Sequence, residues 1–348
     1  MNREKILVWL PSPVGDAVLC TPALRGLRRR FEGEQIYFLA SGTVRQLLSP
    51  NNFGNDWVDT GGAGLTSLVR KIRLYGFSRA VLFKNSFGSA LTTFLAGVPE
   101  RIGYARDGRS LFLSQRISPP KSPDGRFEPV SMLDYYLTIA AKLGCATTDR
   151  FTELLVGEQD REDLSAKLGD VLSHPSPLVV LVPGGAFGPS KRWPVGRFAA
   201  TADWLIAKYD AAVVLCVAPD KIEVRIAGQI CRLTERKVHS LAETPLSMGE
   251  LKALLAESDL VITNDTGPRH IAIALGKKVI TLFGPNNPEW TRTGYEDEVQ
   301  IRGAAECVPC DKPKCRQTEH FCMESISVET VCAAAGKILD KPKKRAGG

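Results

Sequence analysis

The chain contains no run of 18 or more apolar residues among its 348. A helix that crosses a bilayer needs about 20, so a membrane-spanning helix is excluded. None of its glycine-rich turns ends in Gly-Lys-Ser or Gly-Lys-Thr, which excludes a P-loop. No Asp-x-Asp pair closes an apolar run, so the carboxylates that bridge a divalent cation to a diphosphate are missing, and no metal is expected to be obligatory for catalysis. No basic strand or helix is interleaved with aromatics, which counts against nucleic acid as a partner. The opening residues lead directly into an apolar run, Ile6 to Leu10, and then Pro11, Pro13 and Gly15. A secretory leader has a different order of segments, and the expectation is a cytoplasmic protein.

What is present is ordinary in amount and uneven in placement. Apolar residues make up 44% and charged residues 24%, the composition of a globular protein long enough for two domains. The net charge is +7. Between Arg70 and Arg126 there are eleven Lys and Arg against three acids, Glu100, Asp107 and Asp124. That window alone exceeds the net charge of the chain. A local field of this kind implies a polyanionic partner, such as a phosphorylated glycolipid or an anionic membrane surface. The basic tail Lys341-Pro342-Lys343-Lys344-Arg345 adds to it.

Apolar runs of strand length alternate with helical patterns along the whole chain, which argues for parallel sheets covered by helices. The most informative stretch is 259–290. A run ending at Leu260 to Ile262 leads into Asn264-Asp265 and the turn Thr266-Gly267-Pro268. His270 opens an apolar helix, and a second run, Val279 to Phe283, ends in Gly284-Pro285-Asn286-Asn287. This is a βαβ unit. Ligands of open parallel sheets sit at the carboxyl ends of strands, and a helix start favours an anion. Asp265, Thr266, Gly267 and His270 are therefore candidates for a phosphate seat. The alternative is a plain N-cap at Thr266 with His270 packed on the helix.

Other turns have the same placement. Gly15-Asp16 follows the first run, and a helix is expected from about Ala17 to Phe31, with Pro22 kinking it or displacing its first turn. Asp16 could take a proton from a hydroxyl or serve as an ordinary N-cap. After Leu178 to Val182 comes Pro183-Gly184-Gly185-Ala186, and Lys191-Arg192-Trp193-Pro194 leads into a helix, which places Lys191 at a second phosphate seat. Glu223, with Asp220 as runner-up, could accept from a ribose or stand as an ordinary acid at a helix start. Arg101, Arg106 and Arg109 alternate with turn residues and are expected to project from a loop, where guanidinium groups suit phosphate or carboxylate; they could equally be surface arginines without a ligand. Ser173-His174-Pro175-Ser176-Pro177 has the composition of a hinge. Cys307, Cys310, Cys315 and Cys322 have a spacing that could hold structural zinc; a labile disulfide or inert thiols are the alternatives.

Asn264-Asp265-Thr266-Gly267, His270 and Phe283-Gly284-Pro285 together resemble the donor-binding signature of the ADP-heptose:lipopolysaccharide heptosyltransferases. Gly15-Asp16 with the following Thr21 to Arg28, the Arg101–Arg109 loop and Lys191-Arg192-Trp193-Pro194 extend the resemblance over nearly the whole chain. It is closest to the type II enzymes. The resemblance implies an α/β GT-B glycosyltransferase fold, two Rossmann-like domains facing a central cleft. The expected boundaries are 1–172 for an acceptor-binding domain, 173–177 for the hinge, 178–325 for the nucleotide-sugar domain, and a helix at 326–340 crossing back to the first. It implies an inverting transfer of heptose from ADP-L-glycero-D-manno-heptose to Kdo or heptose of the lipid A-linked inner core. Asp16 would be the base. Lys191, Glu223, Asp265, Thr266, Gly267 and His270 would hold the donor, and Arg101, Arg106 and Arg109 the acceptor. Such an enzyme would work in the cytoplasm, peripherally at the inner face of the inner membrane. Many members carry a hydroxyl residue where Gly185 and Ala186 stand, so that contact would fall to backbone N–H groups or Ser190. A sugar-nucleotide epimerase of the same architecture and a non-enzymatic polyanion-binding protein are the competing readings.

Overall fold

The computed structural model describes residues 3–59, 62, 64–123 and 125–340. The chain divides into two compact units, Met1–Leu155 with Glu289–Thr293, and Val156–Pro288 with Gly294–Gly348.

The first unit contains β1 (Lys5–Trp9), α1 (Val14–Leu19), α2 (Thr21–Arg30), β2 (Gln35–Leu39), α3 (Gly42–Leu47), β3 (Asp56–Trp57) and α4 (Leu65–Tyr75). β4 (Arg79–Leu82), α5 (Phe87–Leu95), β5 (Glu100–Tyr104), β6 (Gln115–Ile117) and α6 (Met132–Lys142) follow. The strands form one parallel sheet in the order β3-β2-β1-β4-β5-β6. Ile6, Leu7 and Val8 are fully buried, as central strands covered on both faces must be. Pro22 falls in the first turn of α2, where a missing N–H costs nothing. The helix expected over about 17–31 is accordingly two helices meeting at Cys20.

The second unit begins with α7 (Glu158–Leu172), β7 (Leu178–Val182), α8 (Val195–Tyr209), β8 (Ala212–Leu215), α9 (Lys221–Leu233), β9 (His239–Ser240) and α10 (Met248–Glu257). It continues with β10 (Leu260–Asn264), α11 (Gly267–Ala274), β11 (Val279–Phe283), β12 (Glu298–Arg302), α12 (Phe321–Glu324) and α13 (Val328–Leu339). Its sheet, also parallel, runs β12-β11-β10-β7-β8-β9. Counted from the first strand of each unit, both sheets have the order 3-2-1-4-5-6. The strand order therefore reverses between β1 and β4 in one unit and between β7 and β10 in the other. Open α/β sheets bind their ligands at the carboxyl ends of the strands at that point.

Two boundary expectations are corrected. The division falls at 155/156, so residues 173–177 lie inside the second unit. The cause is α7, which packs on α10, buries Leu164, Leu168 and Val171, and pairs Lys167 with Glu250 at 2.6 Å. Helix α13 likewise stays with the second unit, because Val331, Ala335 and Ile338 complete a core with Trp193 and Phe198. The basic tail 341–345 lies outside the described residues.

Candidate functional site

In the second unit the reversal point is occupied by charge. Lys191 closes a short 3-10 turn, Pro189–Lys191, after β7, and Asp265 follows β10 directly. Lys191 Nζ stands 2.8 Å from Asp265 Oδ2 and 3.0 Å from the Asp265 carbonyl. Arg269, one turn into α11, gives Asp265 Oδ1 a second cation at 3.1 Å. Arg269 also forks onto Glu298, Nε to Oε1 at 2.6 Å and Nη2 to Oε2 at 3.1 Å. Thr281 donates to the same Oε1 at 2.6 Å. Two cations and two carboxylates thus neutralise one another out of water. Burial alone would raise the Asp265 carboxyl, but Lys191 and Arg269 outweigh it and hold it below the usual carboxylate range. Glu298 is held low in the same way: burial would raise it, and the hydrogen bonds and charge of Arg269 with the hydrogen bonds from Thr281 and Gln300 together outweigh burial.

The glycine-rich turn after β7 is tied to this cluster from two sides. Asn264 Nδ2 donates to the Pro183 and Gly184 carbonyls at 2.9 and 3.1 Å. Glu223, buried in the first turn of α9, accepts from Gly185 N at 2.9 Å and Ala218 N at 2.7 Å. Gly184 is required because a Cβ there would collide with the Glu223 carboxylate, and a Cβ on Gly185 would press on the Thr266 methyl at 2.9 Å. Asp220 caps α9 by accepting from Ile222 N and Glu223 N. Glu223 therefore brackets two loops through backbone amides.

Thr266 has the N-cap position of α11, yet its side chain makes no capping bond. Its hydroxyl lies 3.2 Å from Thr263 Oγ1 instead. The first N–H groups of α11, starting at Gly267, thus keep no side-chain cap beside Lys191, an arrangement that favours an anion. His270, in the same helix, is buried, and Nδ1 has no hydrogen-bond partner. Burial and the Arg269 charge push its imidazole down to about 3, so it is neutral at ordinary pH.

In the first unit Asp16 sits in the first turn of α1, after β1. It is not the N-cap, a position held by Pro13. No hydrogen bond to its carboxylate is formed among the described residues, and burial pushes its pKa up to about 6. Such a carboxyl is ionised at neutral pH and retains enough basicity to accept a proton.

The three arginines separate into different roles, which corrects the expectation of a projecting loop. Arg109 is fully buried; it donates to the Tyr104 carbonyl at 2.8 Å, the Lys84 carbonyl at 2.7 Å and Asn85 Oδ1 at 2.7 Å, tying the ends of β4 and β5. Arg101 lies on β5 and donates to the carbonyls of Phe112, Val98 and Pro99. Arg109 is thus spent on two backbone carbonyls and Asn85, and Arg101 spends Nε and Nη1 on backbone carbonyls. Arg106 remains reachable, paired with Asp107 at 2.9 Å and lying 4.5 Å over the Phe127 ring. Tyr135, stacked on Tyr104 at 3.6 Å, has its hydroxyl buried without a partner.

The four clustered cysteines are not brought together as ligands, a second correction. Among the described residues no group of three or more His, Cys, Asp or Glu could hold a metal, and no disulfide is formed. Cys322 is buried on α12 beneath Gly284, while Cys307 and Cys315 are exposed. The expected zinc site is not supported.

Arg269, Glu298, Asn85 and Tyr135 escaped the sequence reading. An acid and an arginine four apart at a helix start, Asp265 and Arg269, were the available signal for the first. Nothing local marks Glu298, which lies 29 residues further on.

Residues 65–320 match glycosyltransferase family 9 (heptosyltransferase). The chain is 29% identical over 305 residues to lipopolysaccharide heptosyltransferase 2 of Escherichia coli K12, covering 82% of this chain and 84% of that one. Its fold is that of the solved E. coli ADP-heptose lipopolysaccharide heptosyltransferase II (24% identity, TM-score 0.79, 96% of this chain and 98% of the other). It is equally that of a family 9 glycosyltransferase from Veillonella parvula (22% identity, TM-score 0.81, 97% and 98%). The GT-B class expected from the sequence is therefore the observed one.

Proposed function

The chain belongs to glycosyltransferase family 9, the heptosyltransferases, and from that premise we propose that it moves a heptose from ADP-L-glycero-D-manno-heptose to the lipopolysaccharide inner core, as a type II enzyme. The observation that carries this reading is Asp16, an unpaired carboxyl in the first turn of α1, the helix that follows β1, with its pKa raised to about 6.

In the proposed reaction Asp16 takes the proton of an acceptor hydroxyl on Kdo or heptose. The oxygen attacks the anomeric carbon, the bond from that carbon to the diphosphate oxygen breaks, and the configuration inverts. ADP leaves with added negative charge. Lys191 and the uncapped amides at Thr266 and Gly267 stabilise that charge electrostatically. His270, being neutral, can only donate or accept a hydrogen bond. Glu223 keeps the glycine-rich turn in shape and can offer its remaining lone pairs to the ribose. Arg106 is the arginine left to meet an acidic acceptor group. No helix among the described residues is long and apolar enough to cross a membrane. A lipid-linked acceptor would be met from the cytoplasmic side, by peripheral contact with the inner membrane.

The test is ADP release from ADP-heptose, with and without Kdo2-lipid A or heptosyl-Kdo2-lipid A, in wild type and Asp16→Ala. Acceptor-dependent release that is lost in the variant, with ADP affinity unchanged, supports the reading. Failure of ADP-heptose to bind overturns the donor, and turnover that survives in the variant overturns the base.

A further inference from the structure

Several of the large apolar side chains exposed on the first unit lie on adjoining segments. On α5, Phe87, Phe94 and Leu95 stand at positions i, i+7 and i+8, one face of the helix, and are 47%, 46% and 42% exposed. The opposite face of α5, with Ser89, Thr92 and Thr93, is buried. The helix is therefore apolar on a side for which the unit supplies no core. The short 3-10 turn Arg109–Phe112 extends that side. Its Phe112 ring lies 5.3 Å from Phe87 and 5.4 Å from Phe94, and Leu111 beside it is 79% exposed. At the other end Arg73 of α4 donates to the Leu95 carbonyl at 2.6 Å, and its neighbour Leu74 is 80% exposed. Exposed apolar side chains thus lie on three segments that pack side by side, Leu74 on α4, Phe94 and Leu95 on α5, and Leu111 on the 109–112 turn, and together they make an apolar ridge.

Cations border the ridge. Arg70 stands one turn before Leu74 on α4, and Arg70 and Arg73 are both exposed. Arg101 lies 5.3 Å over the Phe94 ring. Of the acids in this stretch, Glu100 is engaged by Arg79 and Asp107 by Arg106. An apolar ridge with a basic border is complementary to an anionic bilayer, where aliphatic and aromatic side chains enter the acyl boundary and cations meet phosphates. A second copy of the same surface would set like charges against one another.

We propose that the ridge of α4, α5 and the 109–112 turn is a docking surface for anionic lipid. The inference deepens the lipid-linked acceptor reading and rests on it for its purpose, but its test needs neither donor nor acceptor. Full-length protein would be sedimented with vesicles of phosphatidylcholine alone and of phosphatidylcholine mixed with phosphatidylglycerol, at low and high salt. Binding is expected to the mixed vesicles only, and to weaken with salt. The double variant Leu74→Glu, Leu111→Glu changes two side chains outside the core and should keep the wild-type melting temperature. It is expected to lose about tenfold or more in vesicle partition. It should also keep wild-type turnover of a delipidated, water-soluble acceptor.

Equal binding by wild type and variant, or equal binding to neutral and anionic vesicles, would overturn the proposal. So would a wild-type dimer in sedimentation velocity that the variant converts to monomer, which would make the ridge a contact between copies. If the variant loses vesicle binding while no acceptor is ever turned over, the transfer reading fails and the docking surface stands.

Discussion

Arg269 Nε donates to Glu298 Oε1 at 2.6 Å, and the two side chains are 0% and 3% exposed. The pair supplies the more deeply buried half of a cluster whose other half is Lys191 and Asp265. Removing one member of a buried ion pair leaves the other charge without compensation. Glu298→Ala is therefore expected to destabilise the protein by about 3–5 kcal/mol. The double substitution Arg269→Met, Glu298→Leu should recover part of that loss: an apolar pair of similar volume carries no desolvation cost, while Asp265 Oδ1 and the Thr281 hydroxyl lose their partners. Denaturant unfolding of wild type and the two variants tests this; a double variant as unstable as Glu298→Ala would show that the charges themselves are required.

Asp16 should show itself in both rate and stability. Its carboxyl must be ionised to accept a proton, so kcat/KM is expected to rise with pH through about 6 and level off above it. Asp16→Asn should lose about 10²–10⁴-fold in rate. Folding raises this pKa from the ordinary 3.8 to about 6, so the folded state holds the proton more tightly than the unfolded one. Stability is accordingly higher at acid pH and falls as pH rises from about 4 to about 6. Asp16→Asn removes that slope and should stabilise the protein at pH 7 by about 2–3 kcal/mol. A wild type whose stability does not change over this interval would argue against a buried, unpaired carboxylate.

The ends of β1, β7, β10 and β11 were legible because continuous runs of Val, Ile and Leu stop at polar or glycine-rich turns. Asp265 follows such a run at once, and Asp16 and Lys191 lie in the turns that begin where the runs of β1 and β7 stop, so their placement came with the strands. The allegiance of α7 was not legible. Ser173 to Pro177 has a hinge composition, but membership of a unit is decided by what Leu164, Leu168 and Val171 bury, which is a tertiary fact. Arg101 and Arg109 misled for a related reason, since turn-rich surroundings look the same whether a guanidinium projects or folds back onto carbonyls. The cysteine spacing carried no information about where α12 would bury Cys322.

Gly184 offers a test of the donor turn that leaves every charge in place. Its missing Cβ is the space that the Glu223 carboxylate occupies. Gly184→Ala should displace Glu223 from Gly185 N and Ala218 N, leaving two amides unpaired at about 1–3 kcal/mol each. The expected result is a protein less stable by about 2–6 kcal/mol. ADP affinity should fall as well, measured by calorimetry. Glu223→Gln, which keeps one acceptor oxygen, should lose less on both counts. Unchanged ADP affinity in Gly184→Ala would detach this turn from the donor.

His270 yields a prediction of opposite sign to that of Asp16. Burial and Arg269 lower its pKa from 6.5 to about 3, against the weaker pull of Asp265 and Glu298, with Lys191 adding to the decrease. The unfolded chain therefore takes up a proton near pH 6.5 that the folded chain refuses until about 3. The stability this group supports is complete above about 6.5 and is lost as pH falls toward 3, reaching roughly 2 kcal/mol by pH 5. His270→Gln cannot titrate, so its stability should decline less than that of wild type between pH 6.5 and 5, a range above the acid titrations of Asp265 and Glu298. The same neutrality fixes what His270 can do for a diphosphate. It can supply a hydrogen bond but no charge, so the pH dependence of ADP affinity near 6.5, where the terminal phosphate itself titrates, should be the same in His270→Gln as in wild type. An inflection there that vanishes in His270→Gln would mean that the ligand draws a proton onto the ring, and the imidazole would then belong with Lys191 as a cation of the site.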